Sequence, residues 1–347
     1  MRGLGKCKNP VRGLVLVVIL MALPGPIPGQ GKTEKLQGYA EWHTGGLLVV
    51  DGQRVRADQR TKFKGKTPRS LDLIPLGYEV EVKGKRQSDG TVLAESVEAK
   101  PNGTALFEPD VLAASDQIEQ IWVKEGMMFE PRPDGSKATI GRILESGPAV
   151  TRVRRIMNRL VPPYVKPDAL RVRVVETKEW NASAMGNGAI WVYTGLMRDM
   201  DDDELAVVLG HELAHYTHEH SRRNAKRAMI AQIAGTAAAV AASQAGGTTG
   251  QVAALGSMLG LTAFMSSYSR DLEDQADRVG LRYAYAGRFD VAKAPGMWAR
   301  FREKYGEQDK VTNFFVGSHS RPSDRIKNIE RELALNYRNA PRSRSSR

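Results

Sequence analysis

Residues 200–220 read Met-Asp-Asp-Asp-Glu-Leu-Ala-Val-Val-Leu-Gly-His-Glu-Leu-Ala-His-Tyr-Thr-His-Glu-His, and the reading of the whole chain starts there. Asp201, Asp202 and Asp203 suit the N-terminal end of a helix, where carboxylates cap free N–H groups and meet the positive end of the helix dipole. Leu205, Val208 and Leu209 follow at helical spacing. On such a helix His211 and His215 are four residues apart, so both imidazoles project from one face onto a single ion. Glu212 lies beside them, placed to reach a water rather than the metal. This is H-E-x-x-H, in which two histidines hold Zn²⁺ and the glutamate serves as general base.

A catalytic zinc takes three protein ligands and keeps one position open. The metzincin layout needs Gly at position 218 and His at 221; the chain has His218 and Ser221, so that class fails. Further on, Ser269-Arg-Asp-Leu-Glu-Asp-Gln-Ala-Asp277 offers Glu273, with Asp277 one turn along the same face. Glu273 is the expected third ligand. Asp277 is expected behind it, accepting the free N–H of a ligand histidine and fixing its tautomer. His218 reads as a solvated helix residue, and the role of His220 stays open. No serine sits in a G-x-S-x-G elbow, so no serine triad competes.

With these residues in place, HELAHYTHEH followed by SRDLEDQAD resembles the zinc endopeptidases that include the CAAX prenyl protease, HtpX, the mitochondrial OMA-type proteases and periplasmic BepA. Two further segments fit the resemblance. Asn181 to Leu196 is similar to the family's N-A-F-A-x-P-G-G strand segment, with Gly186 where Pro is usual and Asn187 for the first Gly of the pair. His319-Ser-Arg-Pro-Ser-Asp-Arg325 is similar to its late H-P-x-x-x-x-R segment, with Ser320 for Pro. The resemblance covers residues 110–336. It implies His211, His215 and Glu273 as ligands of one Zn²⁺ per chain, Glu212 as catalytic base, and protein or peptide substrates. It also implies that Ala189, Ile190, Trp191, Val192 and Tyr193, with Asn181 ahead of them, form the edge strand to which an extended substrate adds. His319 would lie on a loop able to fill the fourth position on zinc and hold the site closed.

Working outward, the chain reads as α+β. A mainly helical gluzincin-type domain with a small sheet, residues 105–338, follows a small all-β module at 36–100. Strands are expected near 36–43, 46–50, 53–57, 78–85 and 91–98, separated by Gly45-Gly46, Asp51-Gly52 and Ser88-Asp89-Gly90, as a five-stranded sheet or OB-like barrel. The module resembles a small β-barrel domain of unknown function found in exported bacterial proteins. It shows few aromatics for stacking beyond Tyr39 and Trp42, and reads as an appendage that docks on a partner still to be assigned. Pro101-Asn102-Gly103 is the expected linker. Helices are expected at 111–127 and 147–161, strands at 170–175 and 189–193, and helices again from Met200 to Tyr337. Residues 339–347 read as a disordered basic tail.

The chain has 347 residues, with 51 Lys+Arg against 39 Asp+Glu, a net charge of +12. Arg2, Lys6, Lys8 and Arg12 precede the apolar run Leu14 to Leu23 and a Pro/Gly-rich break, the layout of a signal peptide over residues 1–30. Its loss removes four positive charges and no negative ones, leaving +8 scattered among acids, so nucleic acid is not an expected partner. The single cysteine, Cys7, lies in that segment, which excludes a disulfide scaffold and a thiol nucleophile from the mature chain. The chain is therefore expected to be exported: periplasmic in a cell with two membranes, otherwise extracellular or membrane-anchored. Ala228 to Ser269 carries no charge, but Ala, Gly, Ser, Thr and Gln supply most of it, so two packed helices are favoured over a membrane hairpin. The alternative to a protease is an envelope scaffold or chaperone with a latent metal site.

Overall fold

Period-two alternation builds the N-terminal sheet. In β5 (Glu79–Arg86), Val80 and Val82 point into the core between half-buried glutamates. In β6 (Val92–Lys100) the inward residues are Val92, Ala94, Val97 and Ala99; an irregularity opposite Lys83/Gly84 inserts one residue and shifts the alternation. β1 (Glu34–Thr44) pairs with both β5 and β2 (Leu47–Val50), and β2 pairs with β3 (Gln53–Arg56). β3 then meets β6 in parallel through Val55 and Val92, so the pairings return on themselves, and β4 (Lys62–Phe63) adds beside β6. The five expected strands lie within two residues of those observed. The computed structural model describes residues 32–131, 136–242, 268–306 and 322–337, with the side chains of 131, 167 and 232–242 left aside.

The second part is mixed. α1 (Glu108–Trp122) carries Glu108, Pro109 and Asp110 in its first turn, all suited to a helix start. It stops short of the expected residue 127, because Glu125 and Gly126 both take positive φ and turn the chain between β7 (Val123–Lys124) and β8 (Met127–Pro131). β9 (Lys137–Leu144), α2 (Pro148–Leu160), β10 (Arg171–Glu176), β11 (Ala182–Ala184) and β12 (Ala189–Tyr193) follow. Then come α3 (Thr194–Asp199), α4 (Asp202–Thr217), α5 (His220–Ala242), α6 (Arg270–Ala286), α7 (Ala294–Tyr305) and α8 (Pro322–Asn336).

The sheet order is β11-β12-β10-β9-β8-β7, which corrects the expected edge strand. β12 is interior, parallel to β10 on one side and antiparallel to β11 on the other. Both of its faces are covered: Ile190 and Val192 join the core around α2 and α4, while Ala189, Trp191 and Tyr193 pack towards Ile118 and Trp122 of α1. That double burial explains its unbroken apolar run. The edge is β11, three residues long, with Asn181 just ahead of it.

α4 runs through the main core with almost every side chain from Glu204 to His215 buried. Trp42 and Val49 of the N-terminal module belong to this same core. The expected linker is pinned as well: Asn102 Nδ2 donates to Gly77 O (3.0 Å) and to Glu219 Oε2 (2.9 Å). Residues 1–30, most of 228–269, His319 and residues 339–347 lie outside the described residues. Among those described, no helix is long and apolar enough to cross a membrane.

Candidate metal centre

α4 starts as its acidic sequence requires. Asp201 accepts from the Glu204 N–H (3.0 Å) and Glu204 returns the bond to the Asp201 N–H (3.1 Å), a capping box. Lys293 clamps Asp201 and Asp203 at 2.6 and 2.7 Å. Two turns further along, His211 and His215 point inward with their Nε2 atoms 3.0 Å apart. α6 brings Glu273 to them: Oε2 is 3.5 Å from His211 Nε2 and Oε1 is 3.5 Å from His215 Nε2. All three side chains are buried, and they form the one group among the described residues with metal-ligand spacing.

Behind the ligands, Asp277 Oδ1 stands 3.0 Å from His211 Nδ1. A carboxylate only accepts, so the proton is on Nδ1 and Nε2 carries a lone pair into the site. Arg325 of α8 holds Asp277 in turn. Its Nε donates to Oδ2 at 3.0 Å, its Nη2 to Oδ1, and its guanidinium lies 3.5 Å over the Trp298 ring. Nη2 is also 2.8 Å from His211 Nδ1, a close contact between two groups that share the Asp277 oxygen. Arg325 is fully buried. In the sequence it is only the last residue of the His319 segment, and nothing there points to Asp277.

Glu212 is buried beside the ligands, and the backbone of Ala184 on β11 is among the groups that act on its carboxylate. Its Oε1 has no hydrogen-bond partner among the described residues. Burial, and then the neighbouring Glu273 carboxylate, push Glu212 well above the usual carboxylate range. Glu212, Glu273 and Asp277 set three carboxylates against one guanidinium in a site closed to solvent. A divalent cation here would offset the crowding of carboxylates that raises Glu212, and the donor set of two imidazoles and a carboxylate suits zinc.

His215 is held from the other side. Its ring stacks on Tyr268 at 4.1 Å, and its Nδ1 faces His220 Nδ1 at 2.9 Å. His220 Nε2 lies 3.0 Å from Gln275 Oε1, so His220 lines the ligand rather than solvent. Burial, with the adjacent His215 adding to it, keeps His220 well below the usual histidine range. His218 corrects its expectation: it is buried, with Nε2 3.3 Å from the Glu41 carbonyl oxygen and Nδ1 3.1 Å from Thr217 Oγ1.

A model of peptidase family M48 matches residues 149–333, more than half of the chain and every residue of this centre outside the N-terminal module. The chain belongs to peptidase family M48. Residues 37–98 match a domain of unknown function, DUF5666. Among M48 relatives, metalloprotease LoiP of Escherichia coli strain K12 is 35% identical over 207 residues, covering 59% of this chain and 74% of LoiP. Metalloprotease YcaL of the same strain is 42% identical over 172 residues, 47% of this chain and 61% of YcaL. The mitochondrial metalloendopeptidase OMA1 of Bos taurus is 29% identical over 168 residues, 46% of this chain. The chain spans only 32% of OMA1's length.

Proposed function

We propose that this M48 chain is a zinc-dependent metalloendopeptidase that hydrolyses proteins or peptides. The observation that carries the reading is the convergence of His211, His215 and Glu273 on one buried point with the Glu212 carboxylate beside it. Bound there, Zn²⁺ supplies a Lewis acid for the scissile carbonyl and lowers the pKa of water. Glu212 takes the proton of the attacking water at Oε1 and passes it to the leaving nitrogen. Asp277 and Arg325 keep His211 in the tautomer that offers Nε2.

Substrate binding is assigned to β11 in place of β12. In an antiparallel pair the main-chain groups alternate sides, so residues 181, 183 and 185 bond β12 while Ala182 and Ala184 turn their N–H and C=O the other way. Ala184 is also the β11 residue whose backbone acts on the Glu212 carboxylate. An extended peptide adding along β11 would thus run past the catalytic base.

The returning order β1-β2-β3-β6-β5, with its parallel β3–β6 pair, supports an OB-like barrel for the N-terminal module. The basic and apolar sequence of residues 1–30 supports export, and protein quality control in the cell envelope is the role that fits it. The test is casein hydrolysis by the purified, zinc-loaded chain. Glu212→Gln should keep its zinc and lose hydrolysis. A wild-type chain that binds zinc and cleaves nothing would favour the scaffold with a latent site.

A further inference from the structure

Glu41 lies in β1 of the N-terminal module, yet its carboxylate is buried against α6 of the M48 domain. It accepts from Gln275 Nε2 at 3.0 Å, from Arg278 Nη2 at 2.6 Å and Nε at 3.3 Å, and from the Gly52 N–H at 3.0 Å. Arg278 balances its charge. The bond to Gln275 has a further consequence, because an amide has a donor end and an acceptor end.

A carboxylate only accepts, so Gln275 must present its NH₂ to Glu41 and its Oε1 to the opposite side. Arg223, which only donates, agrees: its Nη1 is 2.6 Å from that same Oε1. Gln275 Oε1 then requires a proton on His220 Nε2, 3.0 Å away, which leaves His220 Nδ1 as an acceptor. His220 Nδ1 faces His215 Nδ1 at 2.9 Å, so His215 carries its proton there and offers a lone pair at Nε2. That atom faces His211 Nε2 and Glu273. The polarity of every bond from Glu41 to His215 runs one way.

We propose that the N-terminal module completes the metal centre: Glu41 is a positioning residue that sets the tautomer of His215 through Gln275 and His220, as Asp277 does directly for His211. This rests on the assignment of His211, His215 and Glu273 as ligands. Docking of the module and readiness of the site are then coupled, since an undocked module takes away the acceptor of Gln275 Nε2 and leaves Arg223 alone to orient the amide.

Two readouts on the full-length chain test this. The ring-nitrogen NMR spectrum of metal-free, ¹⁵N-histidine-labelled protein reports tautomers with no zinc present. Competition with a chelator reports zinc affinity. Wild type should show His215 protonated at Nδ1 alone. Glu41→Leu should mix the tautomers of His215 and His220 and lower zinc affinity about 10–100-fold, as loss of an outer hydrogen-bond partner does. Glu41→Gln keeps an acceptor oxygen towards Gln275 and should restore both readouts. Asn102→Ala, which cuts a hydrogen bond elsewhere in the same interface, should change neither. If Glu41→Leu fails to fold, Gln275→Met interrupts the relay from the M48 side and should give the same two losses. Wild-type tautomers and affinity in Gln275→Met, or equal losses in Asn102→Ala, would overturn the proposal. A wild-type chain with the stated tautomers but no zinc affinity would support the relay and reject the ligand assignment.

Discussion

Gly210 and Gly280 meet where α4 crosses α6: a Cβ on Gly210 would fall 2.7 Å from the Gly280 carbonyl oxygen, and one on Gly280 would fall 2.6 Å from His211 N. The obstacles are backbone atoms, which cannot rotate aside. This closeness lets two histidines of α4 and a glutamate of α6 share one point. Gly280→Ala should force the helices apart, cost about 1–3 kcal/mol of stability as overpacking does, and weaken zinc binding as well. Urea denaturation and chelator competition would check both, and a variant unchanged in each would show that the crossing has slack.

Removing a ligand should differ from removing its support. Glu273→Ala takes away a charged donor and should leave a chain that loses zinc to a mild chelator. Asp277→Asn keeps the shape and still offers an oxygen, so its affinity or activity should drop on the order of 10–100-fold. Metal content after dialysis separates the two; normal zinc in Glu273→Ala would remove Glu273 from the ligand set.

Strand addition on β11 makes a prediction about the substrate. Peptides N-methylated at alternate residues should fall into two sets, because every second N–H of an added strand faces the edge. Methylation in one set should raise KM by up to about tenfold per lost hydrogen bond, with little effect in the other. A flat response along the peptide would rule out this binding mode.

The centre was legible because its residues repeat at helical spacing on two helices, and the module's strands because alternation and glycine turns mark them. β11 was not legible, since three residues carry no period, and the fully buried run of β12 does not reveal whether a neighbour lies on one side or both. The apolar spacing around residues 123–127 extends α1 past its end because the Glu125-Gly126 turn carries less signal than that spacing. The burial of His218, Arg325 and Glu41 depends on surfaces brought from distant parts of the chain. Tyr39 and Trp42, the module's candidate stacking aromatics, are used inside the molecule: Arg223 lies 3.5 Å over the Tyr39 ring, and Trp42 enters the main core.

His218 gives a prediction about acid. Its Nε2 donates to the Glu41 carbonyl and its Nδ1 meets the Thr217 hydroxyl, so the neutral ring is satisfied inside the fold, while a second proton would bury a positive charge beside Arg223. Burial, and then the positive charge of Arg223, hold it down at about 4. Above pH 6.5 the ring is neutral both folded and unfolded, and it contributes no pH dependence. Between pH 6.5 and 4 the unfolded chain takes up a proton that the folded chain refuses, so stability falls as pH falls. Across that window the loss should approach about 3 kcal/mol. His218→Gln keeps a donor for the Glu41 carbonyl but cannot titrate. It should be less stable than wild type at pH 7.5, and the gap should narrow or reverse at pH 4.5. Buried groups away from His218 titrate alike in both proteins and cancel in the comparison. Urea midpoints at the two pH values decide it, and an equal loss in both proteins would mean that His218 takes up its proton without opening the fold.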